Sequence, residues 1–293
     1  DCYNVNMKKI IITGGSGFLG TQITHKLLEI GGYDIVIMDI VKPRIQNSAI
    51  RFFKKNLLET FDYTQDYELL KNPYAVIHLS GKSIHGRFTQ KHKQLIKDTR
   101  VLASRHLVEL LSRDDYKLQL CFSLMIGKNY YFLSDVVEAW ENENLRAQQY
   151  GINVSCIRNG HIIGQGGILA EVAKAFKFGI GGILGTGNEH MPWVDIRDLA
   201  DLYITAMSNH DTPSIINGVN GISLTQREFS QAIGSVKKTR LYMPVRQWML
   251  ALKYGEFARE MLVDHHVQSD VFKKMNFETK HSNIQDVIRF YLN

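Results

Sequence analysis

The chain has few cysteines, no long apolar run and no block of one charge sign, and each absence excludes a class of function. Its three cysteines, Cys2, Cys121 and Cys156, show neither paired nor metal-type spacing, which argues against a disulfide framework or a cysteine-bound zinc module. Cys121 and Cys156 sit in apolar runs and read as buried thiols, which suits a reducing cytoplasm. No apolar run approaches the ~20 residues that a membrane helix needs, so no membrane partner is expected. No signal peptide is apparent either, because the first apolar run is a strand committed to a glycine turn. Residues 1–6 precede a natural-looking start at Met7 and read as a leader. There is no internal repeat and no low-complexity segment, and no His, Cys, Asp or Glu cluster has metal-ligand spacing, so no metal is expected. His265 and His266 fall in a stretch that reads as helical and surface-exposed.

The formal net charge of +6 is modest and spread along the chain. Its densest patch holds Lys82, Arg87, Lys91, Lys93, Lys97, Arg100 and Arg105. That patch reads first as a solvated helix face and second as a surface turned toward a phosphorylated ligand. No stacking aromatics accompany the charges, so nucleic acid is not an expected partner. A length of 293 residues, 44% hydrophobic and 22% charged, allows a full core and exceeds one minimal domain.

What the chain does have is a short apolar run, Lys8 to Thr13, that enters the glycine-rich turn Gly14-Gly15-Ser16-Gly17-Phe18-Leu19-Gly20, followed by the amphipathic run Thr21 to Glu29. This order predicts strand, phosphate-binding turn and helix. Gly14 permits the tight turn, Gly17 lets backbone approach a pyrophosphate, and Gly20 lets helix pack on strand. The start of the helix, at Phe18 and Leu19, supplies N–H groups and a partial positive charge to the anion.

A second strand, Tyr33 to Asp39, ends in an acid about 20 residues beyond the turn, where a carboxylate can accept from ribose hydroxyls and would repel a 2′-phosphate. This favours NAD over NADP, although Lys42 and Arg44 lie just beyond and could reach a phosphate. A third strand over 50–55 ends at Asn56-Leu57, where the Asn56 amide could meet an adenine edge or cap a turn. A fourth, Ala75 to Gly81, ends in Leu79-Ser80-Gly81, small enough for a ribose–nicotinamide unit to cross the sheet edge. His78 inside it reads as a core histidine. Helices over 89–112 and 132–150, with strands 118–123 and 153–158, continue the alternation into a doubly wound α/β pattern. Beyond residue 160 glycines cluster into loops, 191–196 reads as extended, and 224–293 reads as largely helical. The expected organisation is a Rossmann-like dinucleotide domain over 7–165 and a smaller C-terminal substrate lobe over 166–293, with some segments returning to the sheet.

Together these motifs resemble the extended short-chain dehydrogenase/reductase superfamily, in its NAD-dependent epimerase and dehydratase group. The residues that carry the resemblance are Thr13 to Gly20, Val76 to Gly81, and Trp193-Val194-Asp195-Ile196-Arg197-Asp198-Leu199-Ala200. A narrower resemblance, to the bacterial "epimerase family protein" branch, rests on Gly81 to Thr89, Asp98-Thr99-Arg100, Phe132 to Glu141, Gly181 to Gly187 and Val271 to Phe277. The resemblance implies a Rossmann-like core, a nicotinamide cofactor and a nucleotide-sugar-like substrate, and dimers through the helices over 89–112 and 132–150 are common in the group. Members of the branch often carry Arg near the end of the second strand, suiting NADP, where this chain has Asp39. Arg100 stands where the superfamily usually has Asn and could anchor a phosphate or form a salt bridge. Gly160 and His161 match positions that often line the nicotinamide. Trp193, Asp195 and Arg197 would fix the interface between lobes, with Trp193 an alternative flank for substrate.

The superfamily's chemistry uses a Ser or Thr, a Tyr, and a Lys four residues later that lowers the Tyr pKa. Only Tyr67–Lys71 has that spacing, in the wrong part of the fold. Around the expected place stand Ser123, Tyr130 and Tyr131, and the family pattern puts Phe132 at the Tyr position and Val136 at the Lys position. Only residues 128–131 separate the fifth strand's end from the next helix, which points to a longer natural loop near 127–131 that this chain lacks. Two readings follow: an NAD(P)-dependent oxidoreductase or epimerase acting on a small polar, nucleotide-linked substrate, or a nicotinamide-dinucleotide-binding regulatory protein without turnover.

Overall fold

The computed structural model describes residues 7–62, 66, 70–112, 119–125, 132–176, 179–209 and 211–293. The chain opens with β1 (Lys8–Thr13), α1 (Phe18–Ile30), β2 (Tyr33–Asp39), β3 (Ile50–Lys54), β4 (Ala75–His78), α2 (Gln90–Leu111) and β5 (Gln119–Met125). It continues with α3 (Phe132–Leu145), a 3₁₀ turn (Arg146–Tyr150), β6 (Asn153–Asn159), β7 (His161–Ile163), α4 (Gly167–Ala175), β8 (Ile180–Leu184) and β9 (Trp193–Asp195). The remainder is α5 (Ile196–Ser208), β10 (Ile215–Gly218), α6 (Gln226–Lys237), β11 (Leu241–Val245), α7 (Gln247–Tyr254), α8 (Phe257–Glu260) and α9 (Ile284–Leu292).

Two compact units share these elements. The first takes the chain up to Lys82, Gln94–Arg158 and Ala200–Ile216; the second takes Ser83–Lys93, Asn159–Leu199 and Asn217–Asn293. The first is built on a seven-stranded sheet in the order β10-β6-β5-β4-β1-β2-β3. β1 runs parallel to both neighbours, with Ile11 beside Val36 on one side and Val76 on the other, and β2–β3 and β4–β5 are parallel too. Strands covered on both faces need apolar side chains in both directions, which is why Ile10, Ile11 and Ile12 form an unbroken run. All three are at most 1% exposed, each worth roughly 1.5–3 kcal/mol of burial. Leu19, Ile23 and Leu27, one helical turn apart, turn α1 inward. The strand order reverses between β1 and β4, so the carboxyl ends of these strands form the crevice where open parallel sheets take ligands.

The second unit has its own core, in which Trp193, Phe176, Leu224, Phe229, Ile233 and Ile288 are buried together. Its strands pair as two short parallel ribbons, β11 with β8 and β7 with β9. The largely helical reading of 224–293 is corrected here: α6, α7, α8 and α9 are separated by β11 and by a non-helical stretch over 262–283. His265 and His266 lie in that stretch, outside any helix. The helix expected to reach Tyr150 ends at Leu145 and tightens into the 3₁₀ turn, which Gly151 closes with φ +74°. No helix among the described residues is long and apolar enough to cross a membrane.

Candidate functional site

The glycine turn links β1, α1 and β4 by contacts that exclude side chains. Gly14 has φ +69°, and a Cβ there would lie 2.8 Å from the Ser80 nitrogen and 2.9 Å from the Leu79 carbonyl carbon. A Cβ on Gly20 would lie 2.6 Å from Gly15 Cα, and one on Gly17 would lie 3.1 Å from the Gly14 oxygen. The Gly14 N–H donates to Met38 O at 2.9 Å, the Leu79 N–H donates to Thr13 O at 2.9 Å, and the Gly17 N–H closes the turn on Gly14 O at 3.0 Å, so the start of the turn is tied to both neighbouring strands. α1 begins on Gly17 with no side-chain cap and no acid in its first turn. The N–H groups of Phe18 and Leu19 therefore have no acceptor within the helix, and the positive end of its dipole is left uncompensated. An anion is the natural occupant of such a terminus.

Asp39 closes the turn from the β2 side. Its Oδ2 accepts from the Ser16 N–H at 3.1 Å and its Oδ1 from the Ile40 N–H at 2.7 Å, while Ser16 Oγ donates to Val41 O at 2.5 Å. The Lys55 N–H donates to Asp39 O at 3.1 Å, which brings the end of β3 alongside. There Asn56 Oδ1 accepts from the Leu58 N–H at 3.1 Å, the turn-capping alternative of the two open for that amide. Leu57 is buried, and its carbonyl meets His106 Nδ1 at 2.9 Å. Lys42 and Arg44 are exposed.

On the other side, Leu79 and Ser80 are half-buried and Gly81 is exposed. Arg100, only 7% exposed, sits beneath: a Cβ on Gly81 would be 3.1 Å from its Cζ. Arg100 Nη1 donates to Lys82 O at 2.8 Å and Ile96 O at 3.2 Å, and its Cζ lies 5.2 Å from the Trp140 ring centre. Its Nε is buried without a hydrogen-bond partner, and no carboxylate among the described residues pairs with it. Burial lowers the guanidinium to about 10, so it stays charged at neutral pH. Buried beside it, His78 meets Thr13 Oγ1 through Nδ1 at 2.5 Å. Desolvation first, and the Arg100 charge second, push its pKa down to about 3. It is a neutral core imidazole.

Of the residues singled out by sequence, Gly14, Gly17, Phe18, Leu19, Asp39, Asn56, Leu57, Leu79, Ser80, Gly81 and Arg100 all belong to the first unit, along the carboxyl ends of adjacent strands. Gly160 and His161 belong to the second. A Cβ on Gly160 would lie 2.7 Å from Pro192 O, and the His161 N–H donates to that same oxygen at 2.7 Å. Burial holds the His161 imidazole below its ordinary pKa. Ser123 falls on β5, its side chain outside the described residues, as are Tyr130, Tyr131, Tyr67 and the short spacing at 127–131. Phe132 opens α3, and Val136, one turn on, is 1% exposed.

Sequence reading named Trp193, Asp195 and Arg197 but missed the distant polar partners of this segment in the second unit. Asp195 is fully buried and accepts two bonds from the Arg197 side chain, at 2.9 and 2.7 Å, one at 2.8 Å from the Arg197 N–H, and one at 3.0 Å from the Tyr291 hydroxyl. Asp198, also buried, meets His281 Nδ1 at 2.7 Å. Trp193 is 1% exposed within the core. These partners lie 83 and 96 residues apart, beyond any local motif.

The profile of the NAD dependent epimerase/dehydratase family matches residues 10–129 and 127–217, two pieces that meet at the short spacing after β5. An epimerase family protein of Staphylococcus haemolyticus is 26% identical over 300 residues, covering 95% of this chain and 97% of that protein. The crystal structure of a human epimerase family protein with NADPH superposes with a TM-score of 0.80 at 18% identity, over 97% of this chain and 99% of that one. The Thermus thermophilus UDP-glucose 4-epimerase complex with NAD gives 0.78 at 17% identity, over 97% of each chain. At those identities the structural likeness speaks for the fold.

Proposed function

The chain belongs to the NAD dependent epimerase/dehydratase family, and from that premise we propose that it is an NAD(P)-dependent epimerase- or oxidoreductase-type protein acting on a small polar, nucleotide-sugar-like substrate. The observation that carries the reading is the uncapped, acid-free start of α1 beneath a turn in which Gly14 has no room for a Cβ. Those residues fit a dinucleotide: the Phe18 and Leu19 N–H groups would take the pyrophosphate, Asp39 the adenosine ribose, and Leu79, Ser80 and Gly81 the ribose–nicotinamide end. A bound nicotinamide dinucleotide supplies a hydride acceptor and donor. The chain's own part is to orient it. The Asp39 carboxylate, already fixed by the Ser16 and Ile40 N–H groups, keeps a negative charge where a 2′-phosphate would sit. That supports NAD over NADP, the relatives having been crystallised with one or the other. The nucleotide-sugar class rests on the family and on the named substrate of the Thermus relative.

Calorimetry with the four nicotinamide dinucleotides tests the cofactor. NAD(H) should bind more tightly than NADP(H), and Asp39→Ala should narrow the preference by about tenfold, or ~1.4 kcal/mol. Absence of binding by all four would refute the reading. A second reading, a dinucleotide-dependent regulator without turnover, is favoured by Phe132 and Val136 at the positions of the family's proton-transfer pair. A change in nicotinamide absorbance with any member of a sugar-nucleotide panel would eliminate it.

A further inference from the structure

We propose that His190, Asp264 and His266, in the second unit, form a binding site for a divalent transition-metal ion of the zinc type. His190 precedes β9, and the other two lie in the non-helical stretch beyond α8, 74 and 76 positions further along the chain. Backbone bonds hold the two segments together: the His190 N–H donates to Asp264 Oδ1 at 2.7 Å, and the His265 N–H donates to His190 O at 3.1 Å. The carboxylate then divides between two imidazoles, Oδ1 lying 3.0 Å from His190 Nδ1 and Oδ2 lying 3.2 Å from His266 Nε2. The two rings face each other with centres 4.1 Å apart and planes tilted by 44°. One ligand atom from each residue lies within 4.8 Å of the other two.

These separations suit a shared ion. Bonds of about 2.0–2.2 Å to zinc place neighbouring ligand atoms about 2.8–3.6 Å apart at tetrahedral or square angles. His190 Nδ1 and Asp264 Oδ1 already lie at such a separation, and His266, which now meets the other carboxylate oxygen and whose side chain is 66% exposed, reaches the same ion by a movement of its ring. Two imidazoles and one carboxylate are the donor set of borderline ions and leave coordination positions open, whereas magnesium and calcium select oxygen ligands. A second carboxylate, Glu228, lies within electrostatic reach of His190 and is held in the α6 cap by Thr225. A cavity of about 300 Å³, lined in part by His190, Trp193, Leu224, His265, His266 and Gln268, opens beside the cluster, so the remaining positions face space for water or a small oxygen donor. The ion would clamp the stretch around 264–266 to the segment entering β9, a link that the sequence alone supplies by no local motif.

The test titrates the full chain, stripped with EDTA, with Zn²⁺ alone by calorimetry and with Co²⁺ alone by visible absorption. The expected result is one ion per chain, with the strong visible bands of four- or five-coordinate Co²⁺. His266→Ala, at an exposed position that leaves the fold intact by circular dichroism, should weaken Zn²⁺ binding by about a hundredfold or more, as should Asp264→Asn, since even an outer-shell partner is worth 10–100-fold. His266→Gln should fail to restore it. Mg²⁺ should not compete. No saturable Zn²⁺ binding, binding unchanged in His266→Ala, or equal competition by Mg²⁺ would each overturn the proposal.

Discussion

The turn at Gly14–Gly20 and the separate polar clusters at Asp195 and at His190 solve the same problem, placing polar groups at fixed positions, by opposite means. In the first unit the groups are backbone N–H and C=O, and their positions follow from glycines that leave no space for side chains. In the second they are side chains, paired across 74 to 96 residues of sequence. A site of the first kind is rigid and tolerates no added atom. A site of the second kind tolerates substitution with graded losses, because each pair can fail separately.

The largest expected effect breaks the first kind of site. Gly14→Ala meets both a positive φ, costing about 1–2 kcal/mol, and backbone atoms of Leu79 and Ser80 within 2.9 Å, costing about 1–3 kcal/mol more. Equilibrium urea unfolding should show a loss of about 2–5 kcal/mol, along with loss of dinucleotide binding. Gly31 sharpens the point: it shares a positive φ of +77° but has nothing within 4 Å of a Cβ. Gly31→Ala, at φ +77° and ψ 175°, should cost only the conformational share, about 1–3 kcal/mol. Equal losses at the two positions would mean that the close approach of β4 does not fix the turn.

Next comes the second kind of site. Asp195→Ala leaves the Arg197 guanidinium and the Tyr291 hydroxyl without their shared acceptor. Removing one partner of a buried pair costs about 3–5 kcal/mol, but Arg197 is 27% exposed and water recovers part of this. About 2–3 kcal/mol is expected by the same urea measurement. A loss below 0.5 kcal/mol would show that the cluster is decoration.

The contrast also explains what could be read from sequence. β1 to β6 were legible because each is a short apolar run bounded by turn residues, and the helix starting at Phe18 because Leu19, Ile23 and Leu27 recur on one face. The doubly wound sheet expected from that alternation is the one observed. β8 was hidden: Gly181 and Gly182 read as loop, yet they lie in a strand where a Cβ on Gly181 would be 2.6 Å from Phe176 Cε1. There glycine marks close packing against an aromatic ring, and no local pattern distinguishes that from a turn. The Asp195, Asp198 and Asp264 partners were invisible for the same reason: only the folded chain brings them together.

A pH series compares the units through their buried imidazoles. His78 is neutral in the folded chain until about pH 3, whereas in the unfolded chain it protonates at 6.5. The unfolded state binds more protons between those values, so this stabilising contribution is present above pH 6.5 and is lost progressively as the pH falls. Between pH 8 and pH 5 the loss should reach about 2 kcal/mol from this group. His78→Asn should flatten the slope over that range whatever its own cost. His161 and His265 of the second unit are held below their ordinary pKa by burial as well, so a residual slope should survive. A slope unchanged by His78→Asn would mean that the acid sensitivity lies in the second unit.

The smallest effect separates the bonds within one cluster. Tyr291→Phe deletes a single hydrogen bond of 3.0 Å to Asp195 Oδ1 and no charge. Asp195 keeps its two bonds from the Arg197 side chain and one of 2.8 Å from the Arg197 N–H. The guanidinium, whose Cζ lies 4.3 Å from the Phe290 ring centre and 5.3 Å from that of Tyr291, keeps both aromatic faces. With packing and ion pair preserved, the loss should be about 1 kcal/mol, the net worth of one neutral-donor bond. The phenol's own pKa, raised chiefly by burial, keeps it a donor across the range in which the chain is folded. A loss as large as that of Asp195→Ala would mean that the hydroxyl positions the carboxylate for Arg197, making the cluster behave like the glycine turn, in which one atom decides the whole arrangement.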